Sequence, residues 1–378
     1  MGQLVAIVTL LLSGNESDME NKFDRSGCLL ALLSPLFVIV LIEIGLRIIK
    51  PPVTFAISGS CLVQEDAQVG YRYRPHSTSH LQQYNEIDNV IVINSLGFHD
   101  IERDLTIDQY RILALGDSFT TAGQVPVAAG WTQTIEQQLA DTAVINLGVD
   151  GFGTDRQLKL LEQYAPILKP EAVILAFYEN DVQDVLAQVT LDCYDGYLLI
   201  YQTEAQKEQF IAFLEDHEPT PAAFWLAEHS SFYRVMAVLF AQNGFLLVGK
   251  SISPPNIDLP LEPLPEAPPG LMPDLFAQFE ALAEEYDFQI IVVPVPGKKE
   301  PTQSLAILEQ QLDGAEWPHI QIVDVYPMME EQFQSDGREH ADLYFVYDGH
   351  FNEYGYALFG QAAATVLEEQ LALEKRVE

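Results

Sequence analysis

Four short stretches of this chain carry residue types able to do chemistry, and they run in the order Ser, Gly, Asn, His. In the first, Gly116-Asp117-Ser118-Phe119-Thr120, the serine follows an apolar run and opens a helical stretch. Backbone N–H groups and the dipole at a helix start favour developing negative charge, which suits a nucleophile that passes through an oxyanion. The same residues are also ordinary turn and N-cap chemistry. The second stretch, Asn146 to Thr154, places Gly148, Gly151 and Gly153 ahead of a helix. Such glycines permit a tight turn and close approach of backbone to a ligand. A phosphate loop would need a following Lys or the G-x-G-x-x-G spacing, and neither is present. A glycine N–H in this stretch is a candidate donor to an oxyanion. In the third stretch, Tyr178-Glu179-Asn180-Asp181, Asn180 can donate its side-chain amide to an oxyanion or form an Asx turn or cap. The fourth, Asp348-Gly349-His350, offers an imidazole with a carboxylate close by to hold its second nitrogen. His340, Asp342, Asp348 and His350 also admit a metal-ligand reading, but they follow no recognised metal-site spacing.

These residues need a rigid frame, and the apolar runs supply one. Arg111–Leu115, Ala143–Leu147, Ala172–Phe177, Gln289–Val295 and Ile320–Val325 are near-continuous and β-rich, as in strands buried on both faces of a parallel sheet. Helical patterns lie between them, at Gly130–Ala140, Thr154–Leu168, Pro273–Tyr286 and Gln303–Leu312, with a closing helix over Glu353–Glu369. Thr154 and Gln157 fit a capping box. Alternating β and α elements imply a doubly wound α/β sandwich. Each chemical stretch then falls at a strand end or before the last helix, where open α/β sheets bind ligands. The alternation breaks between Val182 and Gly270, a stretch with aromatic pieces and the proline-rich Ser253–Pro269. This insertion (182–270) is placed to cover the mouth of the site, or is a plain surface excursion. Residues 51–108 read as a lead-in packed on the main domain, 109–372.

Ser26 to Ile42 is uncharged, and Ile44-Gly45-Leu46 extends it past Glu43. We expect a transmembrane signal anchor over residues 28–48 after an N-terminal leader, 1–27. Residues 1–18 read as an extension without function ahead of Met19. Two basic residues on either side leave orientation open.

The 378 residues include 19 Lys+Arg against 55 Asp+Glu, a net charge of −36. Such a surface repels phosphate backbones, so nucleic acid is excluded as a partner and polyanionic substrates are disfavoured. With three cysteines and no C-x-x-C pair, zinc ribbons and thioredoxin-type motifs are excluded, while Cys61 and Cys193 could pair or stay as thiols.

Taken together, the four stretches resemble the blocks of the SGNH (GDSL-like) hydrolase superfamily: Gly116-Asp117-Ser118, Gly151 five residues after Asn146, Asn180-Asp181, and Asp348-Gly349-His350. The resemblance spans residues 111–370. Asn94 to Asp100 is similar to a lead-in of membrane-anchored members. Tyr178 stands where the family has glycine. The Asp–His spacing of two matches a subset that includes glycan acyltransferases and deacetylases. The resemblance implies a three-layer α/β/α sandwich around a central, mostly parallel sheet of about five strands, flavodoxin-like, with one transmembrane helix before it. It implies a serine ester hydrolase with Ser118 as nucleophile, His350 as base and Asp348 orienting it. Ser118, Gly151 and Asn180 would form the oxyanion hole, and no metal or organic cofactor is needed. Its substrate would be a small acyl ester or an acylated glycan or lipid, and the domain would face a periplasmic or cell-surface space. O-acyl transfer to a glycan, and non-catalytic glycan binding on the same fold, are the alternatives.

Overall fold

The structure, a computed structural model, describes residues 25–49, 61–83, 86–194, 197–216, 229–241, 267–312 and 314–370, with single positions between 217 and 228. The expected leader up to residue 24 and most of the proline-rich stretch lie outside these residues.

The chain divides into two compact units with the break after Ile49. In the first, Arg25–Ile49 is one helix of 25 residues with Pro35 inside it. Leu36, Phe37, Val38, Leu41 and Ile44 are exposed along it. The side chains of residues 25–32 lie outside the described ones. Among the described residues no helix is long and apolar enough to cross a membrane.

The second unit begins with two antiparallel hairpins, β1 (Val63–Asp66) with β2 (Gly70–Tyr73) and β3 (Thr78–Gln83) with β4 (Ile87–Val92). The main sheet follows, built from β5 (Tyr110–Gly116), β6 (Thr142–Asn146) and β7 (Ala172–Phe177). A third hairpin, β8 (Thr190–Tyr194) with β9 (Tyr197–Tyr201), precedes the last two sheet strands, β10 (Gln289–Pro294) and β11 (Ile320–Ile322). The five sheet strands are all parallel, in the order β11-β10-β7-β5-β6. This is the flavodoxin-like order, with its topological switch point between β5 and β7.

The sheet is buried on both faces along β5, β6, β7 and β10, whose residues are almost all apolar. Leu113, Ile145, Val173, Leu175 and Val292 pack with Leu158 and Leu161 of the Thr154–Leu168 helix and Phe276 and Phe279 of Leu271–Tyr286. On the opposite face Ile112, Ala114, Ile174 and Val293 pack with Trp131 and Ile135 of Trp131–Gln138 and with Phe359 and Val366 of Glu353–Gln370. Three layers result, α/β/α. Each fully buried Leu, Ile, Val or Phe contributes roughly 1.5–3 kcal/mol relative to exposure.

Several expectations change. Thr154 and Gln157 form no capping box. Gly153 takes the N-cap position with no side-chain cap bond, and the Gln157 amide donates to the Phe152 carbonyl at 2.8 Å. Gly153 is required there by packing, since a Cβ would meet Val185 N at 2.5 Å and Asp181 O at 2.7 Å. The last sheet strand is shorter than expected, Ile320–Ile322, because Asp324 accepts the Tyr326 N–H at 3.0 Å and turns the chain into an unexpected helix, Tyr326–Ser335. Within the inserted region the described residues hold the β8–β9 hairpin and helices Glu204–Asp216 and Ser231–Ala241. A disulfide joins Cys61 of the lead-in to Cys193 of β8.

Candidate active site

The serine stands on a sharp turn out of β5. Gly116 has φ +155, and a Cβ there would overlap Thr120 and approach the Ala176 carbonyl at 3.1 Å. Asp117 caps the four-residue helix Ser118–Thr121 by accepting the Phe119 N–H at 2.9 Å. Ala122, with φ 54, ends it in the left-handed region. Ser118 is thereby held at the C-terminal end of β5, beside the switch point.

His350 arrives from a loop 232 residues later, and its Nε2 lies 2.7 Å from Ser118 Oγ. Its Nδ1 lies 2.6 Å from Asp348 Oδ1, which also accepts the His350 backbone N–H at 2.9 Å. Ser118, His350 and Asp348 therefore form one hydrogen-bonded chain. The Phe119 ring packs on the imidazole, 4.8 Å between centroids, and also contacts Tyr178 and Phe351. Burial disfavours the imidazolium, but the Asp348 bond and charge, with Asp117 and Asp150 adding to them, hold His350 above its ordinary pKa. Burial likewise pushes Asp348 up, and its bonds to His350 outweigh that, leaving it below the usual carboxylate value.

Carboxylates crowd beneath this chain. Asp117 is fully buried, its Oδ2 has no hydrogen-bond partner, and burial pushes its pKa up to about 6 against the pull of Phe119 N–H and His350. Burial also pushes Asp184 up to about 7, and Asp181 is raised by burial and by Asp117 and Asp184.

Gly151 and Asn180 occupy the loops after β6 and β7. Gly151 has φ +72, and its loop is anchored from the lead-in. The Tyr71 hydroxyl donates to the Asp150 carbonyl at 2.6 Å, and the Tyr73 hydroxyl accepts the Asp150 N–H at 3.1 Å. At the start of the loop, a Cβ on Gly148 would lie 2.6 Å from Thr120 C. Asn180 gives one amide hydrogen to Asp184 Oδ2 at 2.8 Å, so it is shared with the carboxylate group rather than wholly directed at the serine. In the other reading of the C-terminal loop, His340 bonds through Nε2 to the Gly297 carbonyl at 3.0 Å. Among the described residues no group of three or more His, Cys, Asp or Glu is arranged to hold a metal ion.

The motif reading missed a buried network that braces these loops. Asp100 accepts from Arg103, from Gln133 at 3.2 Å and from Asn146 N at 3.2 Å. Arg103 continues to Glu136 at 2.6 Å. The Asn146 amide then donates to the Thr120 carbonyl at 2.7 Å and its Oδ1 accepts Gly148 N–H at 2.8 Å. Asn146 thus ties the lead-in to the helix of the serine and to the glycine loop. The sequence signal was the Asn94–Asp100 stretch, whose partners lie about fifty residues on.

No family model and no curated protein matches the chain. Solved structures with a similar fold include a member of the lipolytic protein G-D-S-L family from Veillonella parvula, 15% identical, covering 68% of this chain and 97% of that one at a TM-score of 0.36. The lipase/acylhydrolase from Enterococcus faecalis is 16% identical, covering 69% and 97% at 0.34. Esterase EstA from Pseudoalteromonas sp. is 14% identical, covering 70% and 100% at 0.34. Likenesses this distant do not decide what the chain does, which rests on the Ser118–His350–Asp348 geometry.

Proposed function

We propose that the chain is a serine ester hydrolase of the SGNH type, and the observation that carries this is the continuous chain from Ser118 Oγ through His350 to Asp348, at 2.7 and 2.6 Å. His350 Nε2 takes the Ser118 proton as Oγ attacks an ester carbonyl, and Asp348 orients and stabilises the imidazolium that forms. The tetrahedral oxyanion is held by the N–H of Ser118, the N–H of Gly151 and the amide hydrogen of Asn180 not given to Asp184. One such donor typically contributes about 2.7–4 kcal/mol to the transition state. His350 then protonates the leaving alcohol, and water, activated by the same imidazole, releases the acyl group as a carboxylic acid.

The same proposal includes an anchor and a compartment. The exposed Leu36, Phe37, Val38 and Ile44 along the Arg25–Ile49 helix suit a lipid environment. The Cys61–Cys193 disulfide fits an oxidising, extracytoplasmic space. Alkaline extraction of membranes tests the anchor: the full chain stays in the pellet, and a chain lacking residues 1–49 does not.

The activity is tested by assaying the full chain in detergent on p-nitrophenyl acetate and longer acyl esters, beside Ser118→Ala and His350→Ala. Turnover by the wild type, lost by orders of magnitude in both variants, supports hydrolysis. Equal inertness of all three proteins across pH and esters removes it.

A further inference from the structure

The loop that carries Asp348 and His350 is pinned at its ends by the buried Tyr344 and Phe351, while Val346 and Tyr347 between them are 73% and 54% exposed. Two charged side chains from elsewhere in the unit bond the backbone of this exposed stretch. Glu86, in the turn between β3 and β4, accepts three consecutive N–H groups: Val346 at 2.7 Å on Oε2, and Tyr347 at 2.8 Å and Asp348 at 2.7 Å on Oε1. Successive N–H groups pointing into one concavity form a nest, which favours an anion. From the carbonyl side, Lys298, just after β10, donates to Phe345 O at 2.6 Å, Val346 O at 2.7 Å and Asp348 O at 3.1 Å.

We infer that Glu86 and Lys298 are a positioning pair, clamping residues 345–348 from their N–H and C=O sides so that Asp348 and His350 stand in register with Ser118. The inference rests on the hydrolase reading above. No bond joins either side chain to those of Ser118, His350 or Asp348; both hold the backbone that bears them, and the Lys298 charge also helps to keep the Asp348 carboxyl below its usual value. Val346 and Asp348 are both held from the two sides, each giving its N–H to Glu86 and its carbonyl to Lys298. Asp348 Oδ1 lies 2.6 Å from His350 Nδ1, so a small rotation of the two peptide units that flank Asp348 alters the base. Charge-assisted bonds of this kind are about twice as strong as neutral ones. The β3–β4 hairpin thereby acquires a role: its turn carries the carboxylate that orders a loop 260 residues away in sequence.

The test uses the full chain in detergent, with Glu86→Ala, Glu86→Gln, Lys298→Met and Lys298→Arg. Glu86→Ala should lower kcat on p-nitrophenyl acetate on the order of 100-fold with KM nearly unchanged, because sub-ångström misplacement reaches the transition state more than substrate binding. Glu86→Gln keeps an oxygen for Tyr347 and Asp348 N–H but turns an NH2 group toward Val346 N–H, so it should fall between wild type and alanine. Lys298→Arg should recover much of what Lys298→Met loses. A second readout needs no turnover: the far-downfield proton resonance of the His350 Nδ1–H···Asp348 bond should broaden or vanish in Glu86→Ala. Wild-type kcat with that resonance intact in Glu86→Ala overturns the inference. So does a loss that Glu86→Gln and Lys298→Arg share in full, which would mark general structural damage. If Ser118→Ala keeps its turnover the hydrolase reading fails instead, and the resonance alone then judges the clamp.

Discussion

Replacing Gly148 by alanine should disable the enzyme through the nucleophile's backbone, with no polar group changed. A Cβ at position 148 would lie 2.6 Å from Thr120 C and 2.7 Å from Thr120 Cβ, and closer still to Thr121 N, where ordinary contacts begin at 3.4 Å. Relief at Thr121 N requires a relative shift of about 1 Å between the glycine loop and the Ser118–Thr121 helix. Asn146 ties these elements together through Thr120 O and Gly148 N–H, so the strain cannot be relaxed by one loop alone. Moving Ser118 by that amount stretches its 2.7 Å contact with His350 past the reach of a hydrogen bond. Kcat should fall on the order of 100-fold, and stability by about 1–3 kcal/mol, the usual cost of overpacking a filled site. Gly349→Ala is the control, because nothing lies within 4 Å of its Cβ position. Steady-state kinetics and thermal unfolding of both variants make the comparison. Gly148→Ala with kcat within about twofold of wild type and Gly349→Ala would refute the argument that backbone approach at 148 sets the serine's position.

Three further outcomes follow from the same structure. The acid limb of kcat/KM should lie above the ordinary histidine value, because Asp348, Asp117 and Asp150 raise His350 against its burial; Asp348→Asn should shift that limb to lower pH and cut kcat by about 10⁴-fold, as in other triads. Asp117→Asn should stabilise the fold above pH 6 by on the order of 2–3 kcal/mol, since a carboxyl whose pKa burial raises to about 6 destabilises the native state once ionised. The sign gives a gain that is absent below about pH 4, the unfolded value, and grows as pH rises through 6; thermal melts at pH 4 and pH 8 check it. Cys61→Ala or Cys193→Ala should cost about 2–5 kcal/mol in denaturant titrations, because the bond closes a separation of 132 residues, and the single and double variants should be equally destabilised.

The sheet was legible because its strands are buried on both faces and so read as unbroken apolar runs: Ala172–Phe177 coincides with β7, and Gln289–Val295 overruns β10 by one residue. Turn chemistry marked Gly116-Asp117-Ser118 and the glycine loop, since a left-handed turn and a tight approach restrict the residue type locally. The Tyr326–Ser335 helix was not legible: its buried residues are Met329 and Phe333, one contact pair on a polar stretch with no side-chain cap. The capping box failed because helix packing at Gly153 overrode a local preference. What only the tertiary structure decided is the set of partners far apart in sequence: Ser118 with His350, Asp100 with Asn146, Glu86 and Lys298 with the 345–348 backbone. Local propensity acts within a few residues along the chain, whereas these groups meet because parallel strands bring their C-terminal ends to one edge of the sheet and lead-in loops close over it. Residue types and spacing thus named the chemistry this chain can attempt, and the packing of the lead-in against the sheet determined which side chains hold it in place.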